Sequence, residues 1–295
     1  MSAGRTTKGL GFQDAALLAA LETAKGGNDD ALFTLLRRHS NLPGVRANVG
    51  LAEAFGEEMG TRGKPYDALL DRMLRLDADR APGGTELEFL PMCAVYGIAA
   101  RGARDPKARK RAFERLREAA DDLRFRVRDA VAPGLVKIGT QAPEETLAEL
   151  HGWDDGYMYG ASTLQALATP VFLDLLNDGE AVADVLDKVF ALAKGAPRSA
   201  ERYPGYKSLI DALAITPGIV AGRFGSAIFD RLVTWSTVKE PMLREAIEKT
   251  LKSTKLAGRF HDDVVRVHAA LDASAPKRRD PTTYVGKTRN RSKKR

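Results

Sequence analysis

The chain has 295 residues, 46 Lys/Arg against 39 Asp/Glu, a formal net charge of +7 and one cysteine. That length supports a large core, and Leu and Ala abundance with few β-branched runs favours helix over sheet. Cys93 alone excludes an internal disulfide and fits a reducing compartment. The start "MSAGRTTKGLGFQD" lacks the apolar core of a signal peptide, and the apolar stretch from Phe89 to Ala100 is too short to cross a bilayer. The expectation is a cytoplasmic protein with no membrane partner.

The charge is unevenly placed. Residues 276–295 hold nine Lys/Arg and one acid, a net +8, so the remainder sums to −1. Within that remainder, 101–128 carries eleven basic and five acidic residues. The body outside these two segments is therefore acidic.

In chain order, amphipathic segments at helical spacing recur in pairs. Asp30 to His39 is followed by "VRANVGLAEAFG", Val45 to Gly56; Tyr66 to Leu76 is followed by Glu86 to Ala100. Next, a stripe of Phe113, Leu116, Ala120 and Leu123 precedes "RVRDAVAPGLVKIG", in which Val127, Val131, Leu135 and Ile138 share one face. Pro133 inside this second helix predicts a kink. Glu144 to Leu150 pairs with Tyr157 to Leu167, Ala181 to Ala193 with Tyr206 to Leu213, and Phe224 to Trp235 with Pro241 to Leu251. Asp262 to Leu271 closes the series, and "GRFGSA", Gly222 to Ala227, reads as a junction. Each pair is an αα-hairpin.

The second helices repeat one another. Aligning Val127 with Leu243 matches Arg128 with Arg244, Asp129 with Glu245, Val131 with Ile247 and Leu135 with Leu251. The interval from Arg46 to Arg244, divided into five, gives about 40 residues per unit, at the edge of the range for HEAT and armadillo units. On "VRANVGLAEAFG", "VRDAVAPGL" and "LREAIEKTL", the chain resembles the HEAT-repeat (armadillo-like) α-solenoid family, over about Asp30 to Leu271; it is similar to bacterial HEAT-repeat proteins that carry no assigned mechanism. "YMYGASTLQAL" departs from the pattern, with Tyr159 at the Arg position.

The resemblance implies an all-α, right-handed α-solenoid of about six hairpins, whose stacked neighbours bury a continuous core. The organisation expected is a flexible N-terminus over 1–11, the solenoid over 12–272 and a disordered basic tail over 273–295. Arg46, Arg128 and Arg244 are expected to pair with acids of adjacent units. The family supplies scaffolds and adaptors, so the function implied is a non-enzymatic module that binds a protein partner on its concave face.

Two sets of side chains are candidates for a site. "HGWDDGYMYG" gathers His151, Trp153, Asp154, Asp155, Tyr157 and Tyr159 beside an inter-helix turn, as a pocket for a flat cation or base would require. The alternative is a packed repeat junction plugged by Trp153. Alkylpurine DNA glycosylases on HEAT-like repeats place an aspartate four positions after a tryptophan; here those positions hold Tyr157 and Lys239, which counts against that activity.

The second set is basic. Lys107, Lys110, Arg111, Arg115 and Arg117 crowd one helix, and the tail carries Lys277, Arg278, Arg279, Lys287, Arg289, Arg291, Lys293, Lys294 and Arg295. Such runs attract nucleic acid through salt-sensitive phosphate contacts, or serve only as solvated charge. Tyr284 alone offers the tail little base stacking.

No catalytic residue, cofactor or metal site is predicted. His261 and His268 stand seven apart, two helical turns from each other, without a second ligand pair. None of the four histidines precedes a Glu, which removes the resemblance to HEAT-like deoxyhypusine hydroxylases. There is neither a phosphate-cradling Gly loop with a following Lys nor a Gly-x-Ser-x-Gly elbow.

Overall fold

The computed structural model describes residues 11–276, and the side chains from Ala15 onward. Among the described residues all regular structure is helical. The helices are α1 (Gly11–Lys25), α2 (Asp30–Arg38), α3 (Val49–Arg62), α4 (Asp67–Leu74), α5 (Phe89–Arg104), α6 (Pro106–Ala120), α7 (Phe125–Asp129), α8 (Val131–Gly139) and α9 (Pro143–Leu150). They continue with α10 (Tyr157–Leu167), α11 (Pro170–Leu173), α12 (Gly179–Lys194), α13 (Pro204–Leu213), α14 (Thr216–Phe224), α15 (Ser226–Trp235), α16 (Pro241–Thr250), α17 (Thr254–Arg259) and α18 (His261–Ala273). Short 3-10 turns at Lys64–Tyr66, Glu86–Glu88 and Arg198–Arg202 join some of them.

Local chemistry sets many of the starts. Pro106, Pro143, Pro170, Pro204, Pro217 and Pro241 sit in first turns, where a missing backbone donor costs no helical bond. Side-chain caps begin others: Asn48 accepts from the Leu51 amide at 3.1 Å and Asp178 from the Ala181 amide at 3.0 Å. Gly225, at φ +62°, turns the chain between α14 and α15.

The helices α3, α5, α8, α10, α13 and α16 lie in a row, each packed on the next. In a second row α9 packs on α12, α12 on α15 and α15 on α18, and ion pairs link α4 to α6 and α6 to α9. One apolar core runs from Leu17 to Leu271, with Phe55, Phe89, Trp153, Phe172 and Phe229 fully buried. The helices α3 and α5 approach each other closely. A Cβ on Gly56 would lie 3.0 Å from the Tyr96 carbonyl oxygen, and one on Gly60 3.1 Å from that of Ala100.

Ion pairs stitch the second row together. Arg111 of α6 reaches Asp71 of α4, and Arg109 reaches Glu145 of α9 at 2.5 Å. Arg231 of α15 meets Glu180, Asp184 and Asp187 of α12, and Arg266 of α18 meets Asp230 of α15 at 2.8 Å.

The paired segments expected from the sequence are helical, with differences at several points; Leu123, expected on the stripe of its helix, lies beyond α6 and is 85% exposed. The helix expected from Val45 begins at Val49: Pro43 and Gly44 precede it, Asn48 supplies the cap, and Val45 is 95% exposed. The kink expected from Pro133 appears as an interruption at Ala130, between α7 and α8, one turn before the proline, which has no amide to offer the Asp129 carbonyl. The helices α1, α11, α14 and α17 were not foreseen. Finally, the repeated arginines form no ion pair with any described residue: Arg46 is exposed in the loop before α3, Arg128 donates to the Asp122 carbonyl, and Arg244 donates to several carbonyls. Arg128 and Arg244 thus satisfy carbonyls left open at helix junctions, and Arg46 does not.

Candidate functional site

The segment 151–160 forms the joint between α9 and α10. Trp153 is fully buried, and its indole Nε1 donates to Glu149 at 3.3 Å. Tyr159 meets its ring edge-on, with centroids 6.1 Å apart. The Arg117 guanidinium from α6 lies 4.7 Å from the Tyr159 ring centre and 5.9 Å from that of Trp153, donates to the Gly152 carbonyl at 2.9 Å and pairs with Asp155. The aromatic faces that a flat ligand would need are thus occupied by Arg117. On the other side, Lys188 of α12 sits 3.0 Å from His151 Nδ1 and 3.7 Å from Asp154. Tyr157 turns away towards α13, edge-on to Tyr206 at 5.4 Å and tilted against the half-exposed Tyr203 at 6.2 Å. The six residues therefore do not converge on one cavity; they connect α6, α10, α12 and α13.

The basic side chains of α6 divide into two kinds. Arg111 pairs with Asp71, Arg115 with Glu118 at 2.7 Å and Asp71 at 3.4 Å, and Arg117 with Asp155. Lys107 and Lys110 are exposed and pair with no described carboxylate. Lys277, Arg278, Arg279, Lys287, Arg289, Arg291, Lys293, Lys294 and Arg295 lie outside the described residues, as does most of the expected basic tail.

His261 and His268 are both exposed on α18, and among the described residues no group of three or more His, Cys, Asp or Glu is placed to hold a metal ion. Cys93 is buried in α5, and burial pushes its thiol well above the ordinary range. No described helix is long and apolar enough to cross a membrane.

A groove of about 450 Å³ crosses α3, α5 and α8, and no motif had singled it out. Its floor is made of small residues: Gly50 and Ala54 from α3, Ala99 and Ala100 from α5, and Gly134 from α8. Because Gly56 lets α3 approach α5 so closely, these short side chains lie beside the backbone and leave a channel rather than a filled seam. Glu53 and Pro133 are exposed on its walls and Tyr96 is half-buried. Burial, with a smaller contribution from the charge of Glu53, pushes the Tyr96 phenol up to about 12.

One end is tied by Glu57, which accepts from Lys137 of α8 and from Arg104 of α5 at 3.0 Å. Those two cations, Lys137 foremost, hold the Glu57 carboxyl below its usual range against the opposing effect of burial. The groove contains no nucleophile beside a base; it offers shape, small apolar surface and a few fixed charges. Runs of small residues in "VGLAEAFGEEMG" and "VYGIAARGA" were the available sequence signal, and helical repeats use such residues for packing as readily as for binding.

The sequence matches no protein-family model and no curated protein.

Proposed function

We propose that this chain is a right-handed, HEAT-like α-solenoid acting as a non-enzymatic interaction module, with a protein partner seated in the groove across α3, α5 and α8. The observation that carries the reading is the groove itself: a channel of about 450 Å³ lined by backbone and small side chains from three successive helices of one row. Such a channel accepts a helix or an extended segment, with Glu53 and Tyr96 as polar contacts. The stacking of α3, α5, α8, α10, α13 and α16 supports the solenoid part, since each packs mainly on its neighbours in the row.

Nucleic-acid binding is the second reading. Exposed Lys107 and Lys110, and the nine basic residues of 277–295, favour it. Against it, the arginines of α6 already face carboxylates, which compete with phosphate. A glycosylase reading has less support, because the ring of Trp153 is buried and covered by Arg117.

The test uses a photo-crosslinking residue in place of exposed Glu53, with cross-linked partners identified by mass spectrometry, in the full chain and in a 1–276 truncation. A defined protein partner that Pro133→Glu abolishes and the truncation retains is the expected result. Submicromolar binding to duplex DNA or structured RNA at physiological salt that requires 277–295, with no such cross-link, overturns the proposal in favour of nucleic acid.

A further inference from the structure

A second depression, of about 420 Å³, lies between α14, α16 and α17. Ala214, Gly218 and Gly222 keep part of its lining short. Two isoleucines one helical turn apart, Ile215 and Ile219, share a face there and stay 60% and 38% exposed. Apolar side chains left in water at a concave site carry a hydration cost that a bound apolar group relieves.

The charged side chains that line the depression are all cationic. Lys249, Lys255 and Arg259 line the depression and no carboxylate does. Lys249 is partly engaged by Glu245 at 2.8 Å. Arg259 is held in place by the Gly222 carbonyl at 2.9 Å and lies over the Phe260 ring at 4.9 Å, while Lys255 has no ion pair among the described residues.

We propose that this depression docks an acidic protein segment, which inserts a large apolar side chain between Ile215 and Ile219 and turns its carboxylates to Lys255 and Arg259. Apolar floor and cationic rim select for both properties at once. A phosphate backbone has nothing to place on the isoleucines, and a flat bilayer does not fit a concave site. The chain's own 277–295 is a poor occupant, since its nine basic residues against one acid repel the rim. This surface does not depend on the groove across α3, α5 and α8.

The test is fluorescence anisotropy of the full chain with three labelled synthetic peptides: alternating Glu and Leu, alternating Glu and Ser, and alternating Lys and Leu. The Glu–Leu peptide is expected to bind at least about tenfold tighter than either other peptide, and Ile215→Glu or Lys255→Glu to weaken it about tenfold. Both positions are on the surface, so thermal melts of the variants should match the parent; Pro133→Glu, in the other groove, should leave the affinity unchanged. Equal affinity for the Glu–Ser peptide, or indifference to both substitutions, overturns the proposal. Binding to phosphatidylserine vesicles that needs Ile215 and Lys255, with no binding of the Glu–Leu peptide, overturns it in favour of an anionic lipid surface.

Discussion

Arg244 in α16 donates to the carbonyl of Leu271, near the end of α18, at 2.5 Å. The same guanidinium reaches the carbonyls of Ser236 at 3.2 Å and Val238 at 3.1 Å, and the Ser274 hydroxyl at 2.8 Å. One buried cation therefore closes the α15–α16 junction and fastens α18 to it. The planar, many-donor guanidinium suits this task, and an ammonium does not.

Arg244→Met is expected to destabilise the chain by about 3 kcal/mol, because hydrogen bonds from a charged donor are lost and buried carbonyls are left open. Urea denaturation measures the loss, and amide exchange should accelerate in α18 first. Arg244→Lys should recover less than half of it. A change below about 1 kcal/mol would mean that water replaces the guanidinium at no cost.

At the α9–α10 joint, Arg117→Ala removes the cation from Tyr159 and Trp153 and breaks the pair with Asp155. The pair is largely exposed, so most of the expected loss of about 1 kcal/mol comes from the ring contacts. In a Trp235→Phe background, Trp153 is the only tryptophan, and its quenching by acrylamide should rise on Arg117→Ala. Unchanged quenching would mean that Arg117 does not cover the indole.

The contact of α3 with α5 leaves no room at Gly56. Because the clashing atom is a backbone carbonyl oxygen, Gly56→Leu should cost about 3 kcal/mol or more. The same replacement at Gly222, where a Cβ meets nothing within 4 Å, should be nearly neutral or stabilising. Paired thermal melts test the contrast.

Tyr96 gives an alkaline signature. Its phenol ionises at about 12 in the folded chain against an ordinary value of 10.0, so the unfolded chain releases the proton first. Stability from this group is constant below the ordinary value, falls as pH rises between the two values, and levels off above the folded one. Tyr96→Phe should flatten that part of the pH–stability curve, and absorbance titration near 295 nm should lose one late-ionising phenol. A curve unchanged by the substitution would place the ring in water.

Helix periodicity made most of the architecture legible, because apolar stripes bury in only one way. The reading of Tyr157 to Leu167 coincides with α10, and the second helices around Val127 and Leu243 both bury those residues. What escaped were helices such as α14, "TPGIVAGRF", where Gly and Pro mask a short element held mostly by neighbours. The repeated arginines were legible as repeats but not in their chemistry, since carbonyl partners leave no mark in a sequence. Trp153, Asp155 and Tyr159 looked like ligand chemistry because proximity along a chain says nothing of direction; the cation that covers them comes from α6. The groove across α3, α5 and α8 depends on absent side chains contributed by segments far apart in the chain.

Two kinds of tie hold both rows of helices. Close packing joins α3, α5 and α8 and, in the other row, stacks Phe190 of α12 on Trp235 of α15; ion pairs, Lys137–Glu57 and Arg104–Glu57 in the first row and Arg111–Asp71, Arg231–Asp184 and Arg266–Asp230 in the second, are the other kind. Salt screens the second kind and leaves the first almost untouched. Raising ionic strength thus loosens the charged ties of both rows, the Glu57 pairs at the end of the channel among them, while the apolar contacts hold. The width of a channel floored by α3, α5 and α8 then becomes a quantity set by the medium as well as by the sequence.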